Sequence, residues 1–222
     1  MEQSLYSKNC KKYVYECIKE YYQENSDSVF KEVNSQFKLF VSELPKEWQA
    51  DKNFHAKQAG TFDCIMLMAF YKICKDKVSV KRIEKINNDL LLPSYRKLSF
   101  VNYNWKFLKP IMHKVFQSAK KRCDTFHDFE MELEDYDKNK PVSYGFTYCP
   151  IADFAKHHEL EEVMPAMCNG DYYAMELLHA RLIRKKNCVT EDYCDYTIVG
   201  DKDPCLKDHE EYIDEKGYIR NR

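Results

Sequence analysis

Glycine and proline are scarce in this 222-residue chain, at five and seven residues, and no low-complexity tract occurs, so no stretch reads as a long flexible linker. No apolar run approaches the roughly 20 residues that span a bilayer. The opening Met1-Glu2-Gln3-Ser4-Leu5, with Lys8 to Lys12 behind it, lacks the basic-then-apolar order of a secretory signal. Neither sign of charge is in excess: 35 Lys+Arg stand against 36 Asp+Glu, a net charge of −1, which supplies no general field for nucleic acid or an anionic membrane. Phosphate-cradling glycine loops, Gly-x-Ser-x-Gly, His-Glu-x-x-His and Cys-x-x-Cys pairs are all missing. These absences leave a globular, small-molecule-handling protein as the expectation, with neither nucleic acid nor membrane as partner and a homo-oligomer compatible.

Cysteine is abundant. Ten cysteines without dense regular spacing, in a chain long enough to bury its own core, point to reduced thiols and a cytoplasmic setting over a disulfide scaffold.

The first half is helical in pattern. Tyr13, Cys17, Ile18, Tyr21 and Tyr22 share a face over residues 8–24, and Phe30, Val33, Phe37, Phe40 and Val41 share one in a second helix opened by Ser26 or Asp27 and stopped by Pro45. A polar connection runs from Lys46 to about Gly60. Phe62 to Ile73 form a third helix, and Val80 to Leu90 a fourth, capped by Ser79, with Pro93 beyond its end. The stretch from Tyr95 to Arg122 contains Pro110 and predicts a kink or two abutting helices. Its stripe Phe100, Tyr103, Phe107 reads as core. His55 and His113, with no ligand pattern around them, read as structural or solvated.

Between Phe126 and Asp135 the period changes to two, with Phe129, Met131 and Leu133 alternating with acids. Asp137 to Pro141 is a turn, and Val142, Tyr144, Phe146 and Tyr148 alternate with Ser143, Gly145, Thr147 and Cys149. This predicts a β-hairpin whose small-residue face admits a close neighbour. Pro150 suits the first position of a following helix, which would put Cys149 where a helix N-terminus favours a thiolate.

The chemistry-bearing residues concentrate between Phe146 and Asp201. A helix from Cys168 or Asn169 to about Leu182 would align Cys168, Asp171, Met175 and His179. Either Asn169 and Asp171 cap that helix beside a buried Cys168 thiol, or Cys168 and Asp171 share a pocket, where Asp171 could serve as base. Leu182 to Cys188 and Tyr193 to Val199 predict a second hairpin with Cys194, Tyr196 and Ile198 on one face and Asp195 and Thr197 on the other. Arg184 is either a carboxylate clamp or a surface residue of the run Arg184-Lys185-Lys186. Cys149, Cys168 and Cys194 could take zinc, or the cluster manganese, but intervals of about 20 residues are a weak ligand signal; no metal or cofactor is predicted.

Cys149-Pro150, Phe154-Ala155-Lys156, Met164-Pro165, Cys168-Asn169-x-Asp171-Tyr172, Leu182-Ile183-Arg184 and Cys194-Asp195-Tyr196 up to Gly200-Asp201, in this order, resemble the L-2-amino-thiazoline-4-carboxylic acid hydrolase family. The sequence departs from the family where a threonine and a glycine-rich turn precede Cys-Asp-Tyr; Asn187 to Tyr193 stand there instead. The resemblance implies ring-opening hydrolysis of 2-amino-Δ2-thiazoline-4-carboxylate to N-carbamoyl-cysteine or a reaction on a related cyclic amidine. It implies Asp171, Cys168 and Asp195 as catalytic residues, with Cys149, Asn169, Tyr172, Arg184 and Cys194 around the substrate. In that scheme Asp195 pairs the amidinium and Arg184 the carboxylate. The closing helix–hairpin also looks like vinyl-reductase-type regulatory domains, which would bind a small molecule without turnover.

The predicted architecture is α+β: a helical N-terminal half packed against a four-stranded antiparallel sheet made of two hairpins, with helices inserted between them. Residues 1–125 form the helical region, 126–201 the core carrying the motifs and 202–222 a tail read as a surface segment, together one compact domain.

Overall fold

A computed structural model of the chain describes residues 5–46, 48 and 59–222. His55 and most of the polar connection from Lys46 to Gly60 lie outside them. The fold is α+β and divides into two compact units, residues 1–90 and 91–222.

The first unit is helical. α1 (Lys8–Tyr22) buries Cys10, Val14, Cys17 and Ile18, and Ser7 caps it by accepting the Cys10 N–H at 3.1 Å. α2 (Ser26–Ser42) buries Val33, Phe37, Phe40 and Val41; Asn25, not Ser26 or Asp27, is its N-cap residue, and its side chain makes no capping bond. α3 (Ala59–Cys74) is apolar around its circumference, with every residue from Ile65 to Phe70 buried, as suits a central helix. α4 (Val80–Arg96) buries Ile83 and Ile86 and carries Pro93 inside its last turn rather than beyond it. No described helix is long and apolar enough to cross a membrane.

In the second unit residues 97–107 form turns, and α5 (Leu108–Phe126) follows with Pro110 in its first turn, where its missing N–H is not needed. The stretch is therefore neither kinked at Pro110 nor two helices abutting there: turns precede a single helix, and helical spacing does not apply to the aromatics in those turns. Tyr103 is buried, whereas Phe100 and Phe107 are 73% and 61% exposed, so the stripe is not core. His113 is structural: its Nε2 lies 2.9 Å from the Glu134 carbonyl oxygen.

β1 (Glu130–Leu133), β2 (Val142–Tyr148), β3 (Ala180–Ile183) and β4 (Cys194–Gly200) make one antiparallel sheet in the order β1-β2-β4-β3. Each predicted hairpin contributes two neighbouring strands, although β3 lies at Ala180–Ile183 and not at Leu182–Cys188, and the sheet is joined through β2 and β4, where Tyr144 faces Tyr196 and Gly145 faces Asp195. α5 lays Phe116 on Tyr144, with ring centroids 4.3 Å apart, and Tyr144 stacks on Tyr196 at 4.8 Å. On the other face, the small-residue stripe does receive a close neighbour. A Cβ at Gly145 would lie 2.1 Å from the Tyr193 hydroxyl, so that glycine makes room for the Tyr193 ring.

Between the hairpins, α6 (Pro150–His157) has its proline at the first position. The long helix expected from Cys168 to Leu182 is broken instead into α7 (Pro165–Cys168) and α8 (Gly170–Glu176), and His179, at φ 52°, turns the chain into β3. His179 therefore leaves the Cys168 face and meets Asp201 at 3.2 Å. The tail is also ordered: β5 (Glu211–Ile213) and β6 (Ile219–Asn221) pair antiparallel, and Tyr218 is buried to 1%.

Candidate active site

Arg184 follows β3 directly. Alternation continued from Ala180 and Leu182 turns it inward, and it is the largest fully buried side chain among the described residues, at 1% exposure. It is not the surface arginine that the basic run suggests. Its guanidinium lies between the rings of Tyr172 and Tyr196, at 5.0 and 5.6 Å. Nη1 donates to the Cys168 carbonyl at 3.2 Å and to the Tyr196 hydroxyl at 3.4 Å, and lies 3.7 Å from Asp171 Oδ2. Tyr196 in turn donates to that Asp171 oxygen at 3.2 Å. Nη2 is buried without a hydrogen-bond partner, as is the hydroxyl of Tyr218.

Asp171 is the open member of the group. Its side chain is 45% exposed, yet enclosure by protein raises its pKa above the usual carboxylate range, against the opposing pull of Arg184 and Tyr196. Water reaches this carboxylate on one side, and Arg184 and Tyr196 hold it on the other. Cys168 and Cys149 behave alike. Each is half-buried, and desolvation pushes the Cys168 thiol well up and the Cys149 thiol to about 12. The helix N-terminus does not make Cys149 a thiolate, because burial outweighs the amides of Ala152 and Ile151. The thiol shifted downward is that of Cys194, toward which Cys188 donates, its backbone N–H at 3.1 Å from the Cys194 sulfur; Arg184 adds to the effect.

The structure thus brings Asp171, Cys168, Cys149, Cys194 and Arg184 together around the Tyr144 and Tyr196 rings. Asp195 is not among them. It lies on the opposite face of β4, where its carboxylate accepts the N–H groups of Lys185 and Lys186 at 2.9 and 2.6 Å and shapes the chain after β3. Tyr172 stands beneath Arg184 and donates to Asn221 Oδ1 at 3.0 Å, and Asn169 grips the C-terminal hairpin through Gly217 O and Ile219 N–H, both at 2.9 Å. Both side chains are turned toward the C-terminal hairpin. Tyr196 is a site residue that the sequence reading missed, although it follows Asp195 and alternates onto the Cys194 face. Among the described residues the donor atoms of Cys149, Cys168 and Cys194 do not gather within 4.8 Å of one another as a three-ligand metal group would.

The segment that departs from the family pattern is a self-bonded turn. Asn187 Oδ1 accepts the N–H groups of Val189 and Thr190 at 3.0 Å each, and Glu191 accepts that of Asn187 at 3.0 Å.

Compared with known protein families, residues 65–198, over half of the chain, match the family described as L-2-amino-thiazoline-4-carboxylic acid hydrolase. No curated protein and no solved structure matches the chain.

Proposed function

The chain belongs to the L-2-amino-thiazoline-4-carboxylic acid hydrolase family, and on that premise we propose that it opens the ring of 2-amino-thiazoline-4-carboxylate, or of a closely related cyclic amidine, with Asp171 as the base. The observation that carries the reading is a half-exposed, ionisable carboxylate held by one buried cation and one phenol.

In the proposed reaction Asp171 takes a proton from water as the oxygen bonds to the carbon held between nitrogen and sulfur. The carbon–sulfur bond then breaks. One water proton ends on the ring nitrogen and the other on the departing sulfur, so Asp171 returns what it took. Cys168, whose thiol stays protonated, and the Tyr196 hydroxyl are the donors beside it, and no thiolate nucleophile is required at Cys168. Arg184, closed to solvent, acts through its charge: it favours an anionic substrate and restrains the rise of the Asp171 pKa. The fixed dipoles around it are in place before substrate arrives. Asp195 holds the turn after β3 instead of pairing the amidinium. A reducing cytoplasm suits ten cysteines that are all free.

The test is release of free thiol from 2-amino-thiazoline-4-carboxylate by the purified protein, with and without a chelator. Turnover in both samples is expected. Turnover lost to chelation and restored by zinc or manganese would replace this mechanism with a metal-dependent one. A folded protein whose melting temperature rises with the compound, without consuming it, would make the chain a binding module.

A further inference from the structure

The hairpin of β5 and β6 lies beyond the stretch that matches the family, yet Asn221 carries it to Arg184. Arg184 stands just past the last pair of the β3–β4 ladder, Ile183 with Thr197, so the ladder supplies no partner for its backbone. Asn221 supplies both. Its Oδ1 accepts the Arg184 N–H at 2.9 Å, and its own N–H donates to the Arg184 carbonyl at 2.9 Å. The same Oδ1 accepts the Tyr172 hydroxyl at 3.0 Å, under the guanidinium, while Nδ2 donates to the His209 carbonyl at 3.1 Å. Asn221 is 3% exposed. A side chain that accepts two bonds and donates a third at this place must carry both halves of an amide; leucine offers neither and aspartate lacks the donor.

The neighbouring residues fasten the hairpin without touching the guanidinium. Arg220 donates to Lys185 O at 2.7 Å, Thr190 Oγ1 at 2.8 Å and Glu191 Oε1 at 2.8 Å, stapling the turn where the sequence leaves the family pattern. It also meets Asp214 of its own hairpin at 2.6 Å.

We propose that Asn221 is a positioning residue of the active site, holding the Arg184 backbone and the Tyr172 ring so that the guanidinium stays against Asp171. The role given to Asp171 rests on the hydrolase reading; the placement of Arg184 does not. Among the described residues the titratable groups facing Asp171 are Arg184, Tyr196 and Cys168, with Tyr95, Tyr144, Cys149 and Cys194 near them, and Arg184 is the one cation in this set. A displaced guanidinium therefore moves the Asp171 titration upward in pH.

The experiment follows the carboxyl carbon of Asp171 by NMR titration in the full chain, its resonance identified by loss in Asp171→Asn. In Asn221→Leu the titration moves to higher pH, and ring-opening turnover falls about a hundredfold, the size expected from an ångström of misplacement. Arg220→Ala loosens the same hairpin but leaves the titration in place. A folded Asn221→Leu protein with the native titration, or an equal shift in Arg220→Ala, overturns the proposal. If Asn221→Leu does not fold, hydrogen exchange in the unmodified protein decides. The amides of Arg184 and Asn221 then exchange as slowly as the β3–β4 ladder; exchange as fast as that of exposed Glu211 to Ile213 overturns it. The titration needs no substrate, so a protein that turns nothing over sinks the hydrolase reading alone.

Discussion

Asp171→Asn abolishes most turnover, by about 10²–10⁴-fold in kcat, the range that a positioned general base contributes. The variant nevertheless melts at or above the native temperature at pH 8. The sign follows from enclosure. Burial raises the Asp171 pKa in the folded protein, so the folded state favours the protonated carboxyl. That preference stabilises the fold at low pH and is lost as the pH rises through the folded pKa, because the ionised form is the poorly solvated one. Asparagine resembles the neutral carboxyl and avoids the cost, while Arg184 loses its counter-charge and offsets part of the gain. Steady-state kinetics beside thermal unfolding checks both halves. A variant that loses activity only because it unfolds would defeat the assignment.

Arg184→Met has the second large effect, on stability and activity together. Methionine keeps the unbranched stem between the Tyr172 and Tyr196 rings but removes the donors to the Cys168 carbonyl and Tyr196 and leaves Asp171 without its cation. Removing one partner of a buried pair costs about 3–5 kcal/mol, and the partial exposure of Asp171 brings the expectation to about 2–3 kcal/mol at pH 8. The loss shrinks at a second, acidic pH, as Asp171, its pKa now higher still, takes a proton. Turnover falls about a hundredfold or more. Denaturant titrations at the two pH values measure the difference; equal losses at both would show that Arg184 does not act through Asp171.

The fold was legible wherever periodicity was clean. Alternation in Met131–Leu133, Val142–Tyr148 and Cys194–Val199 gave both hairpins, and one-sided apolar spacing gave the helices of the first half. Legibility failed where a local rule was overridden. Phe100 and Phe107 keep helical spacing in a segment that is not helical, so they face water. Cys168 to Leu182 reads as one helix only if the turn-forming pair Asn169-Gly170 is passed over, and the break falls there; the left-handed turn at His179 has no comparable signal.

The site was legible in part for a related reason. Cys168 and Asp171 lie close in sequence and in space, but Arg184 sits in a basic run, which suggests solvent, and only its strand alternation points inward. The contribution of Asn221 depends on a residue 37 positions further along the chain folding back onto Arg184, and no local pattern carries that information. Asp195 belongs to the Cys-Asp-Tyr motif yet faces away, because neighbouring strand residues point to opposite sides of a sheet.

The most direct measurement of the central claim is the pH dependence of kcat for ring opening, set beside the NMR titration of Asp171 in the same protein. The account predicts an acid limb that coincides with the Asp171 titration, lies above the usual carboxylate range and disappears from the residual activity of Asp171→Asn. A rate flat through the Asp171 titration, or an acid limb that Asp171→Asn leaves intact, would contradict it.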